Sequence, residues 1–257
     1  MILRRRFLAL GLVGFTFLAG AASAQQQIRV MTSGAFTAAY KAILPQFKHK
    51  THYDVVTAYG ASMGGAPDSI PMRIARGEPV DVVIMARPAL DQLVKDGKVL
   101  PDSCVDLVRS KIGMAVRAGA PKPDISSVDA LKKTLLAAKS IAYSDSASGV
   151  YLAAELFPQL GIADRVLPKS KRTPGSVGAA IARGEAEIGF QQISELLPVK
   201  GIEFVGPLPP EAQKVTLFSA GIAKDSPNPD AARTLIEFFK LPEVAGAIRK
   251  TGLDPVR

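Results

Sequence analysis

Four stretches of small, hydroxyl-bearing and glycine residues stand between an apolar strand pattern and a helical pattern. They are Thr32-Ser33-Gly34, Gly60-Ala61-Ser62-Met63-Gly64-Gly65, Ser144-Asp145-Ser146-Ala147-Ser148-Gly149 and Thr173-Pro174-Gly175-Ser176. A helix N-terminus carries unpaired N–H groups and a partial positive charge. Small residues let an anion approach that backbone, and hydroxyls add donors. Serine and threonine are also ordinary helix caps, so one such junction has little force. Four in one chain point to a grip on a small anion.

A second set of residues could move protons or orient acids. Asp145, beside Tyr143 and Tyr151, would serve as a proton carrier if buried next to a ligand; its alternative role is to cap the following helix. Glu195 has the same standing. Arg73 would fork onto a carboxylate or face solvent as a basic residue. Gln191 and Gln192 offer amides that donate to or accept from a carboxylic acid. The candidate ligand set is therefore Thr32, Ser33, Gly34, Ser62, Met63, Arg73, Ser146, Ser148, Gly149, Gln191 and Gln192. Asp145 and Tyr143 are the catalytic candidates if the protein is an enzyme, and Tyr59 is either a ligand contact or core. His49 and His52 end the first predicted helix and read as surface residues. Metal-ligand spacings of the His-Glu-x-x-His or Cys-x-x-Cys kind are absent, so no metal and no cofactor are expected. Cys104 is the single cysteine, which rules out an intramolecular disulfide and reads as structural.

Positioning these residues requires strands that end at the loops. The pattern predicts strands over 28–31, 54–58, 80–85, 111–118, 140–143, 188–191, 202–205 and 215–223. It predicts helices over 36–48, 70–76, 88–96, 128–138, 149–160, 177–183, 229–240 and 242–250. Strands alternating with helices imply an α/β fold with parallel sheets. Two sets of units joined near 108–118 give two lobes with a cleft between them, residues 25–110 with 224–257 returning to them, and residues 111–223. All four Ser/Gly loops run from strand to helix, the side on which open α/β sheets bind ligands.

The first 24 residues read as an export signal rather than as fold. Arg4, Arg5 and Arg6 form the positive region, 7–20 the apolar region, and Ala22-Ser23-Ala24 a small-residue cleavage site. Arg4-Arg5-Arg6-Phe7-Leu8 is similar to a twin-arginine signal, and general secretion is the other route. The expected location is the periplasm. No later run of 18 uninterrupted apolar residues follows, so no membrane-embedded segment is expected. Removing the three signal arginines takes the net charge from +9 to +6. That balance suits an anionic ligand. The basic residues are scattered and lack interleaved aromatics, which argues against nucleic acid. A monomer is expected.

The order of segments resembles the type-2 periplasmic solute-binding proteins, in the branch of the molybdate-binding proteins of ABC importers. The resemblance spans nearly the whole mature chain. It rests on Ile28-Arg29-Val30-Met31-Thr32-Ser33-Gly34, Arg76-Gly77-Glu78-Pro79-Val80-Asp81-Val82-Val83-Ile84, Ile181-Ala182-Arg183-Gly184-Glu185-Ala186-Glu187-Ile188-Gly189 and Ser226-Pro227-Asn228-Pro229-Asp230-Ala231-Ala232. It implies a two-lobed fold, a small anionic ligand and an ABC permease as partner. Two departures bear on the ligand. A serine and a tyrosine that the molybdate binders share align with Ala35 and Gln192. With those hydroxyls missing and a longer lid at 60–67, the resemblance implies an organic di- or tricarboxylate rather than molybdate. The runs 142–151 and 189–198 also resemble the aconitate isomerases. These enzymes of the same branch shift a proton across an allylic system between cis and trans tricarboxylates. The two functional readings are thus a binding protein for import and, alternatively, an aconitate isomerase.

Overall fold

The computed structural model describes residues 27–256, so the expected export signal lies outside the described residues. Its strands are β1 (Gln27–Ser33), β2 (Asp54–Gly60), β3 (Val82–Ala86), β4 (Val105–Ser110), β5 (Ile112–Arg117), β6 (Ile141–Ser144), β7 (Ser170–Thr173), β8 (Ile188–Gln192), β9 (Ile202–Pro207), β10 (Thr216–Ile222) and β11 (Leu253–Pro255). Its helices are α1 (Gly34–Thr51), α2 (Ile70–Ala75), α3 (Arg87–Lys95), α4 (Val128–Ala137), α5 (Ala147–Tyr151), α6 (Phe157–Gln159), α7 (Ala163–Val166), α8 (Val177–Ala182), α9 (Ile193–Leu196), α10 (Pro229–Lys240) and α11 (Ala245–Arg249). A π turn over Leu152–Leu156 joins α5 to α6.

The strands form two sheets, ordered β11-β4-β10-β3-β1-β2 and β7-β6-β8-β5-β9. Both are mixed, which corrects the expectation of parallel sheets. β10 runs antiparallel to β3 and β4, and β5 runs antiparallel to β8 and β9. These are strands next to the crossovers, where the chain enters a sheet from the other one rather than by a helical return. β10 pairs with β3 and β4, so the chain is back in the first sheet by Thr216.

Every residue of β3 is buried, the pattern of a central strand covered on both faces. α1 buries Phe36, Ala39, Tyr40, Ile43 and Phe47, one stripe at helical spacing. That stripe meets α10. Phe36 and Phe239 lie edge to face with centroids 5.3 Å apart, as do Phe47 and Phe238 at 5.3 Å. Burying one such ring contributes about 1.5–3 kcal/mol, and Phe239→Ala would cost about 3–5 kcal/mol. The Asp81 and Ser226 segments meet directly. Buried Asp81 accepts from the Arg29 N–H at 2.7 Å and from the Ser226 hydroxyl at 2.6 Å, fixing β1, β3 and the approach to α10. Between the sheets, the Gln213 amide holds the first crossover at both backbone groups. Ile112 N–H donates to its Oε1 at 2.8 Å, and its Nε2 donates to the Ile112 carbonyl at 2.9 Å.

Candidate functional site

A cleft of about 420 Å³ opens between the two sheets. This falls within the roughly 300–1,000 Å³ usual for small-molecule sites. All four Ser/Gly loops contribute to its wall: Ser33 and Gly34; Gly60, Ala61 and Ser62; Ser144 through Ser148; and Pro174, Gly175 and Ser176. The β8–α9 junction adds Gln191, Gln192, Ser194 and Glu195.

The serines at helix starts in this fold divide into two kinds. Ser127 and Ser176 accept hydrogen bonds from the Ala130 and Ala179 N–H groups, each at 3.1 Å, and so cap α4 and α8. Ser33 and Ser146, at the starts of α1 and α5, accept no capping bond. Ser33 Oγ is buried without any partner. Its hydroxyl and the first N–H groups of the long helix α1 are left for an anion. Ser62 Oγ accepts from the Ala86 N–H at 2.9 Å, so its own proton is free to donate into the cleft. The Ser144 and Ser148 hydroxyls pair with each other at 2.8 Å, and Gly149 N–H donates to Ser144 Oγ at 3.2 Å.

Glu195 dominates the chemistry of the wall. Its carboxyl reaches from the second sheet into the space that a side chain on Gly34 would fill. The neighbouring Ser194 hydroxyl donates to the Ala35 carbonyl at 2.7 Å, docking α9 on the start of α1. Gln191 Nε2 donates to Glu195 Oε1 at 2.9 Å. Burial pushes the Glu195 carboxyl up to about 7, against the Gln191 hydrogen bond and with help from the charge of Asp145. Burial also raises Asp145, opposed by Arg172 and reinforced by Asp68. The Gly64 end of the lid approaches the Asp145 carbonyl, which a Cβ there would meet at 3.2 Å.

Other sequence candidates fall outside this wall. Thr32 is fully buried in β1, one residue behind the cleft, with Oγ1 unpartnered. Met63 packs against the core of the first sheet. Arg73 forks onto Glu78 at 2.7 and 2.9 Å and donates from Nε to the Asp68 carbonyl, so its guanidinium is spent on the lid. Tyr143 packs edge-on against Phe157 in the second core and does not line the cleft. Tyr151 donates to the Ala212 carbonyl at 3.0 Å. Gly149 is needed because a Cβ there would collide with the Ser144 carbonyl. Gln192 does line the cleft, with Nε2 on Thr216 at 3.4 Å and Oε1 buried and unpartnered. His49 and His52 are exposed at the end of α1, and Cys104 lies beside Leu100.

Lys41, Ser194 and Phe218 line the cleft without having been singled out from sequence. Lys41 had a signal. Gly34, Thr37, Ala38 and Lys41 recur at helical spacing on α1, and all four face the cleft. Lys41 Nζ lies 4.8 Å from the Tyr59 ring centroid, so Tyr59 is a wall residue that supports the one basic side chain of the lining. Against that one cation stand Asp68, Asp145 and Glu195. The cleft therefore offers an anion hydroxyls and backbone N–H groups more than positive charge. Among the described residues, no group of three or more His, Cys, Asp or Glu is placed to hold a metal ion. No helix of the described residues is long and apolar enough to cross a membrane.

Comparison with known proteins agrees with this architecture. Residues 28–254 match the family described as bacterial extracellular solute-binding protein. An aconitate isomerase from a Pseudomonas species is 48% identical over 230 residues, covering 89% of this chain and 88% of that one. A molybdate-binding protein of Rhodobacter capsulatus is 28% identical over 238 residues, covering 90% and 89%. The periplasmic molybdate-binding protein of Azotobacter vinelandii superposes with a TM-score of 0.72 at 21% identity, over 90% of this chain and 100% of that one. The two-sheet architecture with its intervening cleft and the match along nearly the whole described length make this chain a member of the bacterial extracellular solute-binding protein family, in the molybdate-binding-protein-like branch that includes aconitate isomerase.

Proposed function

We propose that this protein is an aconitate isomerase in which Glu195 moves the proton. The observation that carries the reading is the Glu195 carboxyl, held in the cleft between the starts of α1 and α9 with its acidity tuned to about 7. A base of that strength is half-ionised near neutral pH, so it can both take a proton from carbon and give it back. The 48% identity to an aconitate isomerase supports the substrate.

The chemistry balances with one base. Glu195 takes a proton from the methylene carbon of bound trans-aconitate. The C–H electron pair becomes the new C=C bond, and the old C=C pair moves onto the far carbon. Glu195 returns the proton to that carbon. The geometry of the new double bond is set by the conformation in which the cleft holds the former methylene. Charge that spreads onto the substrate carboxylates meets Ser33, Ser62, Ser146 and the first N–H groups of α1, donors already oriented before reaction. Asp145 lines the same cleft and tunes Glu195 by its charge. Ala35 and Gln192, where the molybdate binders have hydroxyls, favour a carboxylate over a tetrahedral oxyanion. Arg4 to Arg6 and the apolar run after them support export to the periplasm.

A second reading is import of a small carboxylate through an ABC permease, and the family match is the observation that favours it. Incubating the purified protein with trans-aconitate and following cis-aconitate by chromatography separates the two. Conversion supports the isomerase. Tight binding of an unchanged ligand supports the import reading and overturns the first.

A further inference from the structure

We propose that Gln191 is a positioning residue that reserves Glu195 Oε2 for the transferred proton. The inference rests on the reading of Glu195 as the base.

Gln191 is only 2% exposed, and its amide is committed at every face the cleft could use. Its Oε1 accepts from the Val177 N–H at 2.9 Å. Its Nε2 donates to the Gly175 carbonyl at 3.2 Å and to Glu195 Oε1 at 2.9 Å. An amide has two N–H donors, and both are used. Gln191 therefore lines the cleft without a hydrogen to offer a ligand, which revises its place among the expected ligand donors.

Three partners fix the orientation of the amide. Rotating the amide by half a turn would set NH₂ against the Val177 N–H. It would also set the carbonyl oxygen against the Gly175 carbonyl and the Glu195 carboxyl. Like would meet like at Val177 and Gly175 whatever the charge on Glu195, and at the charged carboxylate as well, so the buried amide keeps the orientation that satisfies all of its partners. Gln191 can only donate to Glu195. Oε1 always receives that N–H, so a proton on the carboxyl sits on Oε2. The partners of the amide come from the fourth Ser/Gly loop and α8, which ties the base to that wall of the cleft. The other charged or titratable groups around the carboxyl are Asp145, with Asp68 and Arg172 behind it, and Lys41 and Tyr59 on the facing wall.

The test uses Gln191→Met, which keeps volume and removes the donor, and Gln191→Asn, which keeps the amide but shortens its reach. Two readouts are taken on the mature protein. The first is a carbon-13 NMR titration of glutamate-labelled protein, with the Glu195 signal identified by its loss in Glu195→Gln. The second is the pH profile of kcat and KM for trans-aconitate. A hydrogen bond to the charged form lowers a carboxyl pKa, so its loss raises the Glu195 midpoint, by about one unit. We expect that rise in whichever variant folds. We also expect a kcat loss of at least about tenfold, KM within about threefold, and an acid limb displaced by the same amount. An unmoved midpoint overturns the proposal, as does a raised KM with unchanged kcat, which would make Gln191 a ligand contact. A shifted midpoint in a protein that never converts aconitate upholds the Gln191–Glu195 pairing and removes only the isomerase reading.

Discussion

The Glu195 carboxyl, carried by the second sheet, occupies the space in front of Gly34 at the start of α1 in the first. The proposed base and the helix N-terminus that would grip the substrate are thus brought together only when the two lobes meet. Gly34 has no positive φ, so its lack of a side chain serves this contact rather than a turn. Gly34→Ala should fold, since a Cβ there meets only the far end of the Glu195 side chain, which can move, and no backbone. It should nevertheless displace Glu195 and lower kcat/KM more than about tenfold. Melting curves and steady-state kinetics on the same preparation check both halves.

Glu195 should also cost the protein stability at high pH. Its folded value of about 7 lies above the ordinary 4.5. The native state therefore binds more protons than the unfolded state between those values, and stability falls as pH rises through this window. Glu195→Gln removes the penalty. Denaturant titration should show the variant more stable than wild type at pH 8, by on the order of 2 kcal/mol, and no more stable at pH 4. Equal differences at both pH values would mean the carboxyl is not desolvated.

Ser33 should matter to affinity and little to folding, and Ser62 to both. Ser62→Ala leaves the Ala86 N–H unpaired, whereas Ser33→Ala removes a hydroxyl that has no partner in the protein. A hydrogen bond to a charged carboxylate contributes about 1.5–3 kcal/mol. Calorimetry with trans-aconitate on a Glu195→Gln background should therefore show each substitution weakening binding about ten- to a hundredfold.

Ligand choice is open to a thermal shift screen. A ligand at 100 times its Kd stabilises the native state by about 2.7 kcal/mol. Tricarboxylates should raise the Tm by several degrees, and molybdate, tungstate and sulfate should not. A large shift with molybdate alone would show that Ala35 and Gln192 do not exclude it.

The fold was legible where a local signal existed. The apolar run 80–85, the stripe on α1 and the four loops all led to their observed places. β4, β7 and β11 were not read. β7 is Ser-Lys-Arg-Thr and largely exposed, β11 is three residues long, and β4 carries charges that its tertiary pairing overrides. The strands β5 and β10 are legible but their antiparallel direction is not, because direction is set by crossovers between sheets, which leave no periodicity in the sequence. The same limit applied to the site. Glu195 and Asp145 looked alike as isolated acids in sequence. Only the approach of α9 to Gly34 sets Glu195 apart. Arg73 pairs with Glu78, five residues on, and the sequence alone does not say which nearby acid takes its guanidinium.

The most direct test of the account is proton NMR of trans-aconitate in heavy water with wild type, Asp145→Asn and Glu195→Gln. Wild type should form cis-aconitate and exchange the methylene hydrogens. Asp145→Asn should keep conversion within about tenfold, and Glu195→Gln should lose both conversion and exchange by at least about a thousandfold while still binding. Tight binding by wild type with neither conversion nor exchange, or a Glu195→Gln protein that turns over like wild type, would contradict it.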